Sequence, residues 1–168
     1  MNNEPILEVG QPAPVFRVIS GAGEAFDLAV LRGRPVVLFF YPQANTEGCT
    51  IETMEFDALL PQFEKLDVVV AGISPDSVEA LARFRASKSL NIQLLSDPQR
   101  RIIVAYGLWR EKTTFGRAYL GLVRTTVLIG ADGTLRRIWT VKRVKNHAAE
   151  VLDAVRQDAQ CDRGFAGF

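Results

Sequence analysis

The run Val36-Val37-Leu38-Phe39-Phe40-Tyr41 has no polar alternation. A strand with one wet face alternates apolar and polar residues, so an unbroken apolar run reads as a strand covered on both faces. Such a strand belongs at the centre of a layered domain. Pro42 ends the run, Gln43 to Thr46 form a short polar loop, and Cys49 arrives at the start of an amphipathic helical pattern. In that pattern Ile51, Met54, Ala58 and Leu59 share one helical face, and Pro61 is expected to kink or restart the helix.

The neighbouring segments supply the layers. Val15 to Ile19 and Ala25 to Leu28 flank the Gly-rich turn Gly21 to Gly23 and read as an N-terminal β-hairpin. Val68 to Ile73 is a second buried strand. Asp76 and Glu79 form a capping-box-like pair opening a helix that runs to about Lys88. A further helix is expected from near Pro98 to about Tyr106. Thr125 to Ile129 and Leu135 to Val141 are strands joined by Ala131-Asp132-Gly133. Asn146 caps a last helix ending near Asp158. Strand–helix alternation, then a hairpin and a terminal helix, gives an α/β domain with a central mixed sheet flanked by helices. One domain is expected over residues 4–155, with a tail over 156–168.

A cysteine at a helix N-terminus is a thiol where the thiolate, the reactive form, is favoured. A free thiol is only about 3% thiolate at neutral pH. A helix terminus typically contributes about 0.3–1 kcal/mol, too little to change that by itself. A guanidinium is the natural supplement, and Arg124, at the start of the strand Thr125 to Ile129, is a sequence-distant candidate. Thiolate fraction alone does not make a fast reagent, because nucleophilicity falls as basicity falls. Thr46, Arg124 and the backbone N–H groups of the loop are suitable donors for charge developing in a transition state.

Composition narrows the classes. With 48% hydrophobic and 23% charged residues over 168 positions, the chain is neither disordered nor a coiled coil. The N-terminus has no apolar core of a signal peptide, and no apolar stretch approaches membrane-spanning length. Two cysteines, Cys49 and Cys161, are too few for a disulfide scaffold or a Cys-built metal site. The default setting is cytoplasmic and reducing. Net charge is +1, yet Arg110, Lys112, Arg117, Arg124, Arg136, Arg137, Lys142, Arg143 and Lys145 cluster against only Glu111 and Asp132. Solvated edges explain that stretch more simply than nucleic acid, and it would attract an acidic protein partner. His147, the only histidine, is expected at the surface, and Trp109, Phe115, Tyr119 and Trp139 read as packing residues.

The spacing Pro42-x3-Thr46-x2-Cys49, with Arg124 downstream in Gly121-Leu122-Val123-Arg124-Thr125-Thr126, resembles the active-site signature of the peroxiredoxins. It resembles in particular the PrxQ or bacterioferritin comigratory protein branch. Gly10-Gln11-Pro12-Ala13-Pro14, Gly72-Ile73-Ser74-Pro75-Asp76, Leu94-Leu95-Ser96-Asp97 and Asp132-Gly133 extend the likeness. The resemblance implies a thioredoxin-like fold and a thiol peroxidase that reduces hydrogen peroxide and alkyl hydroperoxides. It implies Cys49 as the peroxidatic cysteine passing through sulfenic acid, Thr46 as a hydrogen-bonding partner of the peroxide, Pro42 as a shield from water, and Glu52 as the residue orienting Arg124. No metal, haem or flavin is implied, and branch members are often monomers.

The chain departs from the branch pattern at Met54, where many members carry a second, resolving cysteine. Two routes stay open. An external thiol (thioredoxin, glutaredoxin or a small thiol) reduces the sulfenic acid in a one-cysteine cycle, or Cys161 resolves it within the chain or across a dimer. The missing cysteine also motivates an alternative reading as a thioredoxin-fold, redox-controlled interaction or chaperone protein with little turnover.

Overall fold

The computed structural model describes residues 7–165, and side chains as far as residue 159. Its elements in chain order are β1 (Arg17–Ile19), β2 (Ala25–Asp27), a 3-10 turn (Leu28–Leu31), β3 (Val36–Phe40), α1 (Glu47–Lys65), β4 (Val69–Ser74), α2 (Val78–Ser87), β5 (Gln93–Ser96), α3 (Arg101–Ala105), β6 (Trp109–Thr114), β7 (Arg117–Leu122), β8 (Thr125–Ile129), β9 (Leu135–Thr140) and α4 (His147–Phe165). The central sheet has the order β5-β4-β3-β8-β9. β3 lies parallel to β4 and antiparallel to β8. The mixed sheet and the N-terminal hairpin β1–β2 match the expectation.

All five residues of β3 are buried, and their alternation divides two cores. Val37, Phe39 and Tyr41 pack with Phe56 and Phe63 of α1 and Val151 of α4. Val36, Leu38 and Phe40 pack on the other face with Ile103, Tyr106 and Leu135. The ring of Phe39 stacks on Phe56 with centroids 4.4 Å apart and neighbours Tyr41 at 5.8 Å. These rings lie over bare backbone: a Cβ at Gly72, opposite Phe39 on β4, would come within 2.6 Å of Phe39 Cζ and 3.0 Å of Tyr41 Cε1. The β3–β8 register pairs Phe40 with Thr125. One residue beyond each partner are Tyr41 and Arg124, so the arginine arrives where the chain leaves the sheet for the Cys49 loop.

Several local expectations are corrected. The buried face of α1 is Cys49, Glu52, Thr53, Phe56 and Phe63, while Ile51, Met54 and Ala58 are exposed. Helix α1 is continuous through Pro61 and does not restart there. Pro61 is solvent-facing, and the buried Phe56 and Phe63 anchor the turns on either side of it. The cap of α2 is Ser77, which accepts from the Ala80 N–H; Asp76 is used elsewhere. Helix α3 starts only at Arg101. Helix α4 runs on to Phe165, so Cys161 lies on a helix, although its side chain is outside the described residues. The domain start at residue 4 and the last tail residues, 166–168, are also outside them.

His147 is buried, with its Nε2 2.8 Å from Thr126 Oγ1 and its ring edge-on to Phe56 and Trp139. The hairpin β6–β7 has no counterpart among the strands expected from the sequence. It turns at Phe115 and Gly116, both with positive φ (52° and 76°), a two-residue turn of the primed kind.

Replacing Gly72 by alanine is expected to destabilise the fold by about 1–3 kcal/mol, because the stacked rings of Phe39 and Tyr41 have no free volume to move into. A urea midpoint lowered with an unchanged slope is the expected result. An unaltered midpoint would show that the rings yield.

Candidate active site

Helix α1 begins at Thr46, whose φ of −89° and ψ of 158° are those of a cap, but whose side chain makes no capping bond. Its hydroxyl donates instead to the Gln43 carbonyl at 2.9 Å. Among the described residues the N–H groups of Gly48 and Cys49 therefore find no acceptor. They are among the donors that any helix start leaves open. Cys49 is a free cysteine with no exposed surface. Its carbonyl accepts from Thr53 Oγ1 at 2.7 Å, which fixes the first turn.

Arg124 reaches this turn from the start of β8. Its Nη2 lies 3.0 Å from Cys49 Sγ, and its Nη1 donates to Glu52 Oε1 at 2.8 Å. The arginine side chain keeps 18% of its surface exposed while that of Glu52 keeps 1%. Desolvation pulls the guanidinium toward losing its proton, but Glu52 and Cys49 together overcome it and hold the arginine above its ordinary value. Glu52 is pushed up to about 7 by burial, against the opposing pull of Arg124. Gly48 lies beside the guanidinium, where a side-chain carbon would sit 3.6 Å from Nη2.

The structure thus brings Cys49, Arg124 and Glu52 into direct contact. Thr46 and Pro42 lie in the exposed loop that leads to them. Cys161 is on α4, and its side chain lies outside the described residues.

Ser74 and Asp76, which hold the loop, are not among the site residues that the sequence points to. Asp76 Oδ2 accepts from the Ala44 N–H and from Ser74 Oγ, each at 2.7 Å. This clamps the middle of the Pro42–Thr46 loop to the end of β4. The motif Gly72-Ile73-Ser74-Pro75-Asp76 was the available signal, but Asp76 looked like a helix cap.

Comparisons with known proteins place the chain in a family. The model of the AhpC/TSA family matches residues 9–138. Peroxiredoxin Bcp of Bacillus subtilis is 37% identical over 150 residues, covering 89% of this chain and 96% of the relative. Peroxiredoxin Bcp of Escherichia coli is 35% identical, covering 91% and 98%. Among solved structures, the Xanthomonas campestris bacterioferritin comigratory protein, studied for alkyl peroxide reduction, superposes with a TM-score of 0.84 at 32% identity, covering 92% of this chain and 98% of that one. A variant of Xylella fastidiosa PrxQ gives 0.86 at 30% identity, covering 92% and 99%. A buried thiol in the first turn of a helix, paired with an arginine from a thioredoxin-like sheet, thus sits in a chain that belongs to the AhpC/TSA family, alongside the Bcp and PrxQ peroxiredoxins.

Proposed function

We propose that this thiol peroxidase works through Cys49 and runs a one-cysteine cycle on hydrogen peroxide and alkyl hydroperoxides. The observation that carries the reading is the 3.0 Å contact between Arg124 Nη2 and Cys49 Sγ. A hydrogen bond to a charged group is typically worth about 1.5–3 kcal/mol, more than a helix terminus contributes alone. The guanidinium is therefore the larger stabiliser of a thiolate at this position.

The peroxide enters past Gly48, where the absent side chain leaves the guanidinium side open. Thr46 Oγ1 commits its proton to the Gln43 carbonyl, so toward a peroxide it acts as an acceptor. A hydroperoxide O–H donating to Thr46 presents its oxygen to the sulfur. Thiolate attacks that oxygen, the O–O bond breaks, and the electron pair leaves on the alkoxide. Arg124 and the N–H groups of Gly48 and Cys49 supply the positive field for that charge. Pro42 shields the approach from water, and Glu52 keeps Arg124 in place.

Cys49 sulfenic acid is then attacked by an external thiol, releasing water and forming a mixed disulfide that a second thiol opens. Thioredoxin, glutaredoxin or a small thiol fills this role in a reducing cytoplasm. Lys142, Arg143 and Lys145 form an exposed basic loop, and it starts beside the arginine, since Val141 N–H donates to the Arg124 carbonyl. That loop suits an acidic protein reductant. The working unit is a monomer.

Cys49→Ser is expected to abolish peroxide consumption, and unchanged consumption would leave only the interaction-protein reading. Arg124→Ala is expected to lower the single-turnover oxidation rate by about 100-fold or more, as loss of one transition-state donor does elsewhere. Intact-mass analysis after one equivalent of peroxide tests the cycle. The one-cysteine route gives a one-oxygen adduct whether or not Cys161 is present. An internal or intermolecular disulfide that disappears in Cys161→Ser would transfer the resolving role to Cys161.

A further inference from the structure

Arg124 carries one positive charge and serves two acids. Nη1 meets Glu52 and Nη2 meets Cys49. The two acids lie one turn apart on α1, and both are closed off from water. The second carboxylate oxygen, Glu52 Oε2, is buried with no hydrogen-bond partner among the described residues. An ionised carboxylate with one oxygen left bare of water and donors is costly, whereas a neutral acid tolerates that position far better. Two anions on one buried cation would leave an unbalanced charge, and like charges that close do not both ionise easily.

The surrounding groups do not relieve this. Glu55, on the same helix, pushes Glu52 further toward its protonated form, in addition to burial. Tyr41, one residue past β3, is held in its neutral form by burial. His147, from α4, is lowered by desolvation and so brings no positive charge at neutral pH.

From this geometry we infer that Cys49 and Glu52 hold a single negative charge between them, so that Glu52 keeps a proton while the sulfur is ionised and releases it when the sulfur is oxidised. The inference rests on the peroxidase reading and adds a second task for the residue that positions Arg124. The reaction starts from Cys49 thiolate, neutral Glu52 and ROOH. The sulfur bonds the terminal oxygen, the O–O bond breaks, and RO⁻ departs with the bonding pair. RO⁻ gains a proton to become ROH while Glu52 gives one up. Sulfur is oxidised by two electrons and the peroxide is reduced by two. The pair carries one negative charge before the step, on sulfur, and one after it, on Glu52. Arg124 then exchanges a thiolate for a carboxylate, and no proton is drawn from bulk water.

The test is proton stoichiometry in the full-length reduced protein, mixed with one equivalent of hydrogen peroxide in weak buffer with a pH-indicating dye. Slightly acid of neutrality, with the Cys49 thiolate read from its ultraviolet absorbance, oxidation is expected to take up almost no proton from solution; a sulfur still protonated there, which also takes up none, overturns the inference. At higher pH, where the pair has lost its second proton, uptake rises toward one per sulfur. A full proton taken up across the whole range overturns the inference.

The pH profile of single-turnover oxidation gives a second arm. The natural protein is expected to show a falling limb of up to about tenfold per pH unit on the alkaline side, and Glu52→Gln is expected to lose it and reach a plateau. His147 is intact in that variant, so an unchanged falling limb would assign it elsewhere and overturn the inference. If Glu52→Gln does not fold, the proton count on the natural protein still decides. A sulfur that peroxide does not oxidise defeats the peroxidase reading itself, whereas oxidation with full proton uptake defeats only this inference.

Discussion

The site depends on one guanidinium held between a strand and a helix. Arg124 comes from the first residue outside β8, and Cys49 and Glu52 come from the first two turns of α1. Nothing local in the chain joins them. The antiparallel pairing of β3 with β8 does so, because it places the end of one strand beside the start of the other. Desolvating an arginine costs several kcal/mol, and only well-placed partners recover that cost. Here the partners are two acids at 2.8 and 3.0 Å. A register slip of one residue would turn the side chains of β8 to the opposite face and break the arrangement.

The parts of this architecture visible in the sequence are those where chemistry and packing ask for the same residues. Val36 to Phe40 must be apolar to sit between two cores, and it reads plainly as a buried strand. Asp132-Gly133 must turn, and Gly133 adopts a φ of 85° there. The Pro42, Thr46, Cys49 and Arg124 pattern is legible through resemblance, because its spacing is specific.

Legibility fails where the two demands conflict. The inward face of α1 carries Cys49, Glu52 and Thr53, which are polar because the site uses them or because they satisfy its backbone. Apolar periodicity then points to Ile51, Met54 and Ala58, which are in fact wet. His147 looked like a surface residue because its partner, Thr126, lies on a distant strand. Asp76 looked like a cap because its real ligand, the Ala44 N–H, is far away in sequence. The hairpin β6–β7 was hidden by its charged and threonine-rich composition, and by a phenylalanine where asparagine usually turns the chain.

Among the described residues that hairpin pairs only with itself, apart from the central sheet, and it carries a fully exposed Phe115 at its tip. At its root the Val123 N–H donates to the Leu108 carbonyl at 2.8 Å, closing the loop one residue before Arg124. The root therefore insulates the arginine from whatever happens further out along the arm. The arm is thus a module closed off one residue before Arg124, whose tip can be lengthened, trimmed or redecorated at a distance from the Cys49 contact.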